Sequence, residues 1–146
     1  MIKIGVRRLH PDACLPERAY SDDAGFDLHA IEQAVLAPGD RATVGCGFAI
    51  ALAPGTAGLV LPRSGAALND GVTVLNAPGL IDAGYRGEVK VILINHDQST
   101  TYRVDVGDRI AQLLIIELPI ASIEHLNVLS ESDRGDAGFG STGRGK

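Results

Sequence analysis

Asp82, Tyr85 and Arg86 stand between Pro78-Gly79 and Gly87, in a stretch that runs on into the apolar segment Val89 to Ile94. Proline and glycine fix a tight backbone path there, so a carboxylate, a phenol and a guanidinium are presented from a rigid turn, as binding and catalytic groups usually are. An ordinary hairpin turn, with Asp82 bonding its own backbone and Tyr85 capping the core, accounts for the same residues.

Anion chemistry is offered at Pro62-Arg63-Ser64-Gly65, where a strand gives way to a short helix and free amides lie beside an arginine and a hydroxyl. Plain capping of the helix by Ser64 explains that segment equally well. The C-terminal Gly140-Ser-Thr-Gly-Arg-Gly145-Lys146 matches the opening of a phosphate-binding P-loop. The required Ser or Thr is missing and no strand-to-helix context surrounds it, so that reading is rejected. Its glycine-rich backbone, with Ser141, Thr142 and Arg134, still offers amides, hydroxyls and a guanidinium to phosphate oxygens. Ala24-Gly25-Phe26-Asp27-Leu28 and Gly107-Asp108-Arg109-Ile110-Ala111-Gln112 add a carboxylate and an amide in segments opened by glycine.

The elements that must position these groups read as β-structure. At 146 residues the chain is long enough for one domain with a core of its own. Glycine and proline recur every eight to twelve residues between segments rich in Val, Ile, Leu and Thr, and helical periodicity is nearly absent. Strands are expected at Ile2 to Val6, Arg41 to Leu52, Gly58 to Leu61, Val72 to Leu75, Gly87 to Asn95, Thr101 to Val106, Arg109 to Glu117 and His125 to Leu129. In the fifth of these, Val89, Val91 and Leu93 share one face while Lys90, Ile92 and Ile94 share the other, so it starts half-exposed and ends buried on both sides. A helix of one or two turns is expected over Ser64 to Asn69, with Ser64 as N-cap and Asn69-Asp70-Gly71 as terminator.

The fold class is therefore all-β, a jelly-roll-like antiparallel β-barrel or sandwich with one short helix. The core domain spans residues 1–129. Residues 130–146, polar and glycine-dense, form a flexible C-terminal arm in which Phe139 stands out, because an aromatic left in solvent forgoes burial worth about 1.5–3 kcal/mol.

Composition excludes several classes. With 13 Lys and Arg against 18 Asp and Glu, the net charge of -5 provides no basic face for a nucleic-acid backbone, and without tryptophan there is little stacking platform. The longest apolar run, Ile110 to Leu118, is far short of a membrane span, and no secretory signal opens the chain. Cys14 and Cys46 lack metal or redox spacing and read as small core residues of a protein in a reducing compartment. The four histidines have no partner at ligand spacing. A cytoplasmic location is expected.

Taken in order, Ala24 to Leu28, Pro62 to Gly65, Asn76 to Gly87, Gly107 to Gln112 and Arg134 to Gly143 resemble the five motifs of the trimeric deoxyuridine triphosphatases. The resemblance covers nearly the whole chain, with mild departures at Ala66 and Leu80, where a bulkier apolar residue and a threonine or valine are common. It implies hydrolysis of dUTP to dUMP and pyrophosphate by attack of water on the α-phosphorus, which limits uracil in DNA and supplies dUMP. Mg²⁺ is the implied cofactor, carried on the triphosphate.

By the same resemblance Asp82 is the catalytic carboxylate that activates the water and bonds the sugar 3'-hydroxyl. Tyr85 lies under the deoxyribose and leaves no space for a 2'-hydroxyl. Asn76 and the backbone of Glu88 to Val91, which includes Lys90, read uracil and sugar. Arg63, Ser64, Gly65 and Gln112 hold phosphates, and Arg134, Gly140, Ser141 and Thr142 close over them while Phe139 stacks on uracil. Asp27 supports the site or holds metal-bound water. The implied assembly is a homotrimer in which each site draws on several chains. Two other readings stay open: a dCTP deaminase of the same fold, and a non-catalytic nucleotide-binding trimer with a regulatory role.

Overall fold

The computed structural model describes residues 2–138. In chain order the elements are β1 (Gly5–Arg8), β2 (Phe26–His29), β3 (Ala34–Leu36), β4 (Arg41–Ala51), β5 (Thr56–Leu61), α1 (Ser64–Asp70), β6 (Val72–Val74), β7 (Gly79–Asp82), β8 (Glu88–Asn95), β9 (Tyr102–Val104) and β10 (Arg109–Glu117). They form two four-stranded sheets, β1-β4-β8-β6 and β2-β10-β5-β7, and a two-stranded sheet, β3-β9. Every pairing is antiparallel, as short strands joined by tight turns require. Of the barrel and sandwich expected, the sandwich is found; no barrel closes among the described residues.

Alternation along the strands builds the core. In β8, Val89, Val91 and Leu93 are buried while Lys90 is exposed. The opposite face, Ile92 and Ile94, stays half-buried instead of closing as expected. Phe48 and Ile50 from β4, Leu28 from β2 and Leu113 from β10 meet this row, and burying each such side chain stabilises the fold by about 1.5–3 kcal/mol. Asn95 is fully buried yet satisfied: its Nδ2 donates to Leu36 O at 3.0 Å and Thr100 O at 2.8 Å, and its Oδ1 accepts from Asp97 N. That ties the small sheet to the large one.

Four expectations are corrected. His125 to Leu129 is not a strand; it lies exposed, with no neighbouring edge for its backbone. Strands β2, β3 and β7, three or four residues long, were not anticipated. Ser64 is the first helical residue and not the cap, because extended Arg63 occupies the cap position and no side chain caps the helix. The terminator is as expected, with Gly71 in the left-handed region at φ +66°. Cys14 is exposed, and only Cys46 belongs to the core. Among the described residues no helix is long and apolar enough to cross a membrane.

Candidate functional site

Asp82 is the last residue of β7, whose alternation buries Gly79 and Ile81 and turns Leu80 and Asp82 outward. β7 pairs with β5 in one sheet, whereas β8 belongs to the other. The turn after Asp82 therefore steps between sheets, which removes the ordinary-hairpin account of this stretch. It is tight, as expected: Tyr85 N donates to Asp82 O at 3.0 Å, and Arg86 donates to the carbonyls of Ala83 and Tyr85 at 2.7 Å. Tyr85 Oη donates to Glu88 O at 2.8 Å.

A mainly apolar cavity of about 250 Å³ opens beside this turn, lined by Thr43, Leu80, Ile81, Asp82, Tyr85, Glu88, Val89, Lys90 and Ile92. Lys90 Nζ lies 3.3 Å from Glu88 Oε2, and Glu88 Oε1 accepts from Gly47 N at 3.0 Å, so Glu88 is clamped from two sides. Asn76 lies outside the cavity, its amide against Gly79 at the start of β7.

A second cavity, of about 330 Å³, gathers Asp23, Gly25, Asp27, Arg63, Ser64, Gly65, Arg109 and Gln112. Asp27 on β2 and Gln112 on β10 are direct cross-strand partners. Gln112 Nε2 donates to Pro62 O at 2.9 Å, and Gly25 leaves the room that side chain needs, since a Cβ there would lie 2.6 Å from Gln112 Oε1. Two guanidiniums share the Asp27 carboxylate. Arg63 Nε lies 3.7 Å from Oδ1, Arg109 reaches Oδ2 at 3.4 Å, and Arg63 also donates to Arg109 O at 3.0 Å. Each arginine keeps N–H donors to spare beside the open amides at the start of α1. This is a place for a multiply charged anion.

Arg109 is the residue that spacing alone does not find. Positions three apart on a regular strand point to opposite faces, which would separate Arg109 from Gln112. The β10–β2 register shifts between Arg109 and Ala111, and this irregularity returns both side chains to one cavity.

The two cavities are distinct in one chain. Asp82 pairs with Ala57 and Gln112 with Leu61, on opposite sides of β5. Four residues and two strand spacings put them about 16 Å apart. Between them the same outer face carries Leu59, Leu61, Leu80, Leu114 and Ile116, none of which joins the core.

Arg134 is exposed, lines neither cavity, and donates to Ala137 O at 2.9 Å. Phe139, Gly140, Ser141 and Thr142 lie outside the described residues. Among the described residues no group of three or more His, Cys, Asp or Glu could hold a metal ion.

The family model for dUTPase matches residues 12–143. A deoxyuridine 5'-triphosphate nucleotidohydrolase of Thermobifida fusca is 53% identical over 142 residues, 97% of this chain and 79% of that protein. A solved mutant dUTPase of Staphylococcus bacteriophage 80alpha, with dUpNHpp, matches with a TM-score of 0.89 at 28% identity, covering 97% of this chain and 99% of that one. A mutant dUTPase of the S. aureus phage phi11, in which a structural Mg(II) ion is coordinated, matches at 25% identity with a TM-score of 0.80 over 88% of this chain and 99% of that one.

Proposed function

The chain belongs to the dUTPase family, and from that premise we propose that it is a cytoplasmic dUTP diphosphatase that hydrolyses dUTP to dUMP and pyrophosphate. One observation carries the mechanism: a carboxylate-and-tyrosine slot and a two-arginine cavity share one sheet face, about 16 Å apart in the same chain.

Nucleoside and triphosphate divide between these places. Tyr85 walls the sugar, and Asn76 with the backbone around Lys90 reads the base and sugar. Asp82 holds a water against the α-phosphorus and takes its proton as the new O–P bond forms. The bond to the bridging oxygen breaks, and pyrophosphate leaves with that electron pair. Arg63, Gln112 and the amides of Ser64 and Gly65 bind the phosphate chain, joined by Arg109.

The carboxylates of the phosphate cavity, Asp27 and Asp23, form no cage for a metal, a donor set that suits Mg²⁺ held chiefly by phosphate oxygens and water. Asp27 would meet the ion through water. Magnesium, when bound, neutralises charge on the triphosphate. Asp27 also holds Arg63 and Arg109 at a fixed spacing before any anion arrives.

A separation of about 16 Å is too long for Asp82 and Gln112 to serve one phosphorus from a single chain. The site is then built between copies, the slot of one chain meeting the arginine cavity of another in a homotrimer. The outer apolar face between the two half-sites supplies the surface such an assembly buries. Residues 130–146, with Arg134, Phe139, Gly140, Ser141 and Thr142, form a separate arm that completes the phosphate end and stacks on uracil.

Pyrophosphate release from dUTP, dCTP, dTTP and UTP with Mg²⁺ tests the activity. Release from dUTP alone is expected; deamination of dCTP, or binding of dUTP without release, would replace the reading.

A further inference from the structure

Gly87 does not need glycine for its backbone, which lies outside the left-handed region. It needs glycine because the Tyr85 ring folds back over it. A Cβ at Gly87 would lie 2.6 Å from Tyr85 Cζ and 3.0 Å from Cε2, and would meet the hydroxyl oxygen as well. These are ring atoms held in place, not the free end of a flexible chain. Tyr85 N is bonded to Asp82 O, and Tyr85 Oη to Glu88 O. Glu88 is itself fixed by its pairing with Ala49, by Gly47 N and by Lys90. The ring therefore has a floor at Gly87 and a latch at Glu88 O.

We propose that Gly87 is a specificity-determining position: the missing side chain lets the Tyr85 ring lie flat, and that pose sets how much space remains at the sugar 2' position. The inference rests on Tyr85 as the wall of the sugar pocket and adds what holds the wall. A methyl group at Gly87 lifts the ring and opens its bond to Glu88 O. Gly84, in the same turn, has open space where its Cβ would stand, so an added methyl there should leave the ring undisturbed.

The test compares kcat/KM for dUTP and UTP in the full-length protein, Tyr85→Ala, Gly87→Ala, Gly84→Ala and the double variant Tyr85→Ala/Gly87→Ala. Gly87→Ala should relax discrimination against UTP by about tenfold or more, chiefly through a lower KM for UTP once the unlatched ring no longer fixes the wall, while Gly84→Ala leaves it unchanged. In the Tyr85→Ala background the Gly87 change should relax it no further, because both act through one ring. Should Gly87→Ala alone fail to fold, the double variant must fold, since the ring that its methyl strikes is gone. Full discrimination in Gly87→Ala, equal effects of the Gly87 change in both backgrounds, or a double variant that also fails to fold would overturn the inference. If Tyr85→Ala itself retains discrimination, the sugar-wall reading falls too.

Discussion

Asp82 and Gln112 flank β5 from opposite sides, Asp82 beside Ala57 and Gln112 beside Leu61. They share an outer sheet face without sharing a cavity, so the proposed use of both by one nucleotide calls for two chains. The chemistry proposed for each half of the site can be tested separately.

Asp82→Asn keeps the shape and the acceptor oxygen of the side chain but cannot take a proton. Turnover of dUTP should fall by about 10²–10⁴-fold. Affinity for a non-hydrolysable dUTP analogue should stay within a few-fold, as equilibrium titration will measure. Unchanged turnover would remove Asp82 as the base.

Arg109→Gln removes one of the two guanidiniums on Asp27 while leaving the Arg109 carbonyl that Arg63 bonds. A charge-assisted hydrogen bond contributes about 1.5–3 kcal/mol, so kcat/KM for dUTP should fall by roughly 10- to 100-fold. Inorganic pyrophosphate should inhibit less in the same proportion. Unaltered inhibition would exclude Arg109 from the anion site.

Truncation after Ser132 removes Arg134 and the glycine-rich end. The circular-dichroism spectrum and melting temperature should be retained, because residues 130–138 are exposed and contribute nothing to the core. Pyrophosphate release should fall sharply. A truncated enzyme working at full rate would sink the closing role of the arm.

Burial, with Glu88 nearby, pushes the Cys46 thiol up from 9.0 to about 12. Above pH 9 the unfolded chain gives up this proton and the folded chain does not. The stability tied to the neutral thiol is therefore complete below pH 9 and declines as pH rises from 9 toward about 12. Denaturant unfolding should show that decline in the protein and a shallower one in Cys46→Ala. A disulfide reagent at neutral pH should modify exposed Cys14 at once and Cys46 only on unfolding.

Long features were legible in the sequence, and of the short ones only β6, β9 and α1 were read as well. The runs behind β4, β8 and β10 were long and apolar enough to be read within a residue or two. β7 was not read, because it is four residues long, begins on the glycine of Pro78-Gly79, and pairs with β5 about twenty residues upstream. His125 to Leu129 has the composition of a strand but finds no edge in its own chain. Asp82, Arg63 and Gln112 could be named because five motifs in order resemble those of one family, whereas each segment alone also fits an ordinary turn, cap or sheet edge. Arg109 could not, since a register shift in β10 determines the face on which it emerges. The division of the site between chains is implied by the resemblance, but the distance between the cavities is set by where β7 and β10 join β5.

The division of the site between chains is tested most directly by complementation. Asp82→Asn and Arg63→Ala, each inactive alone, are co-expressed with different tags and purified through both. Every mixed trimer retained by both tags has one site in three that pairs an intact Asp82 from one chain with an intact Arg63 from another, so pyrophosphate release from dUTP should return to about a third of the full rate. Mixed oligomers that remain as inactive as either parent would contradict the account.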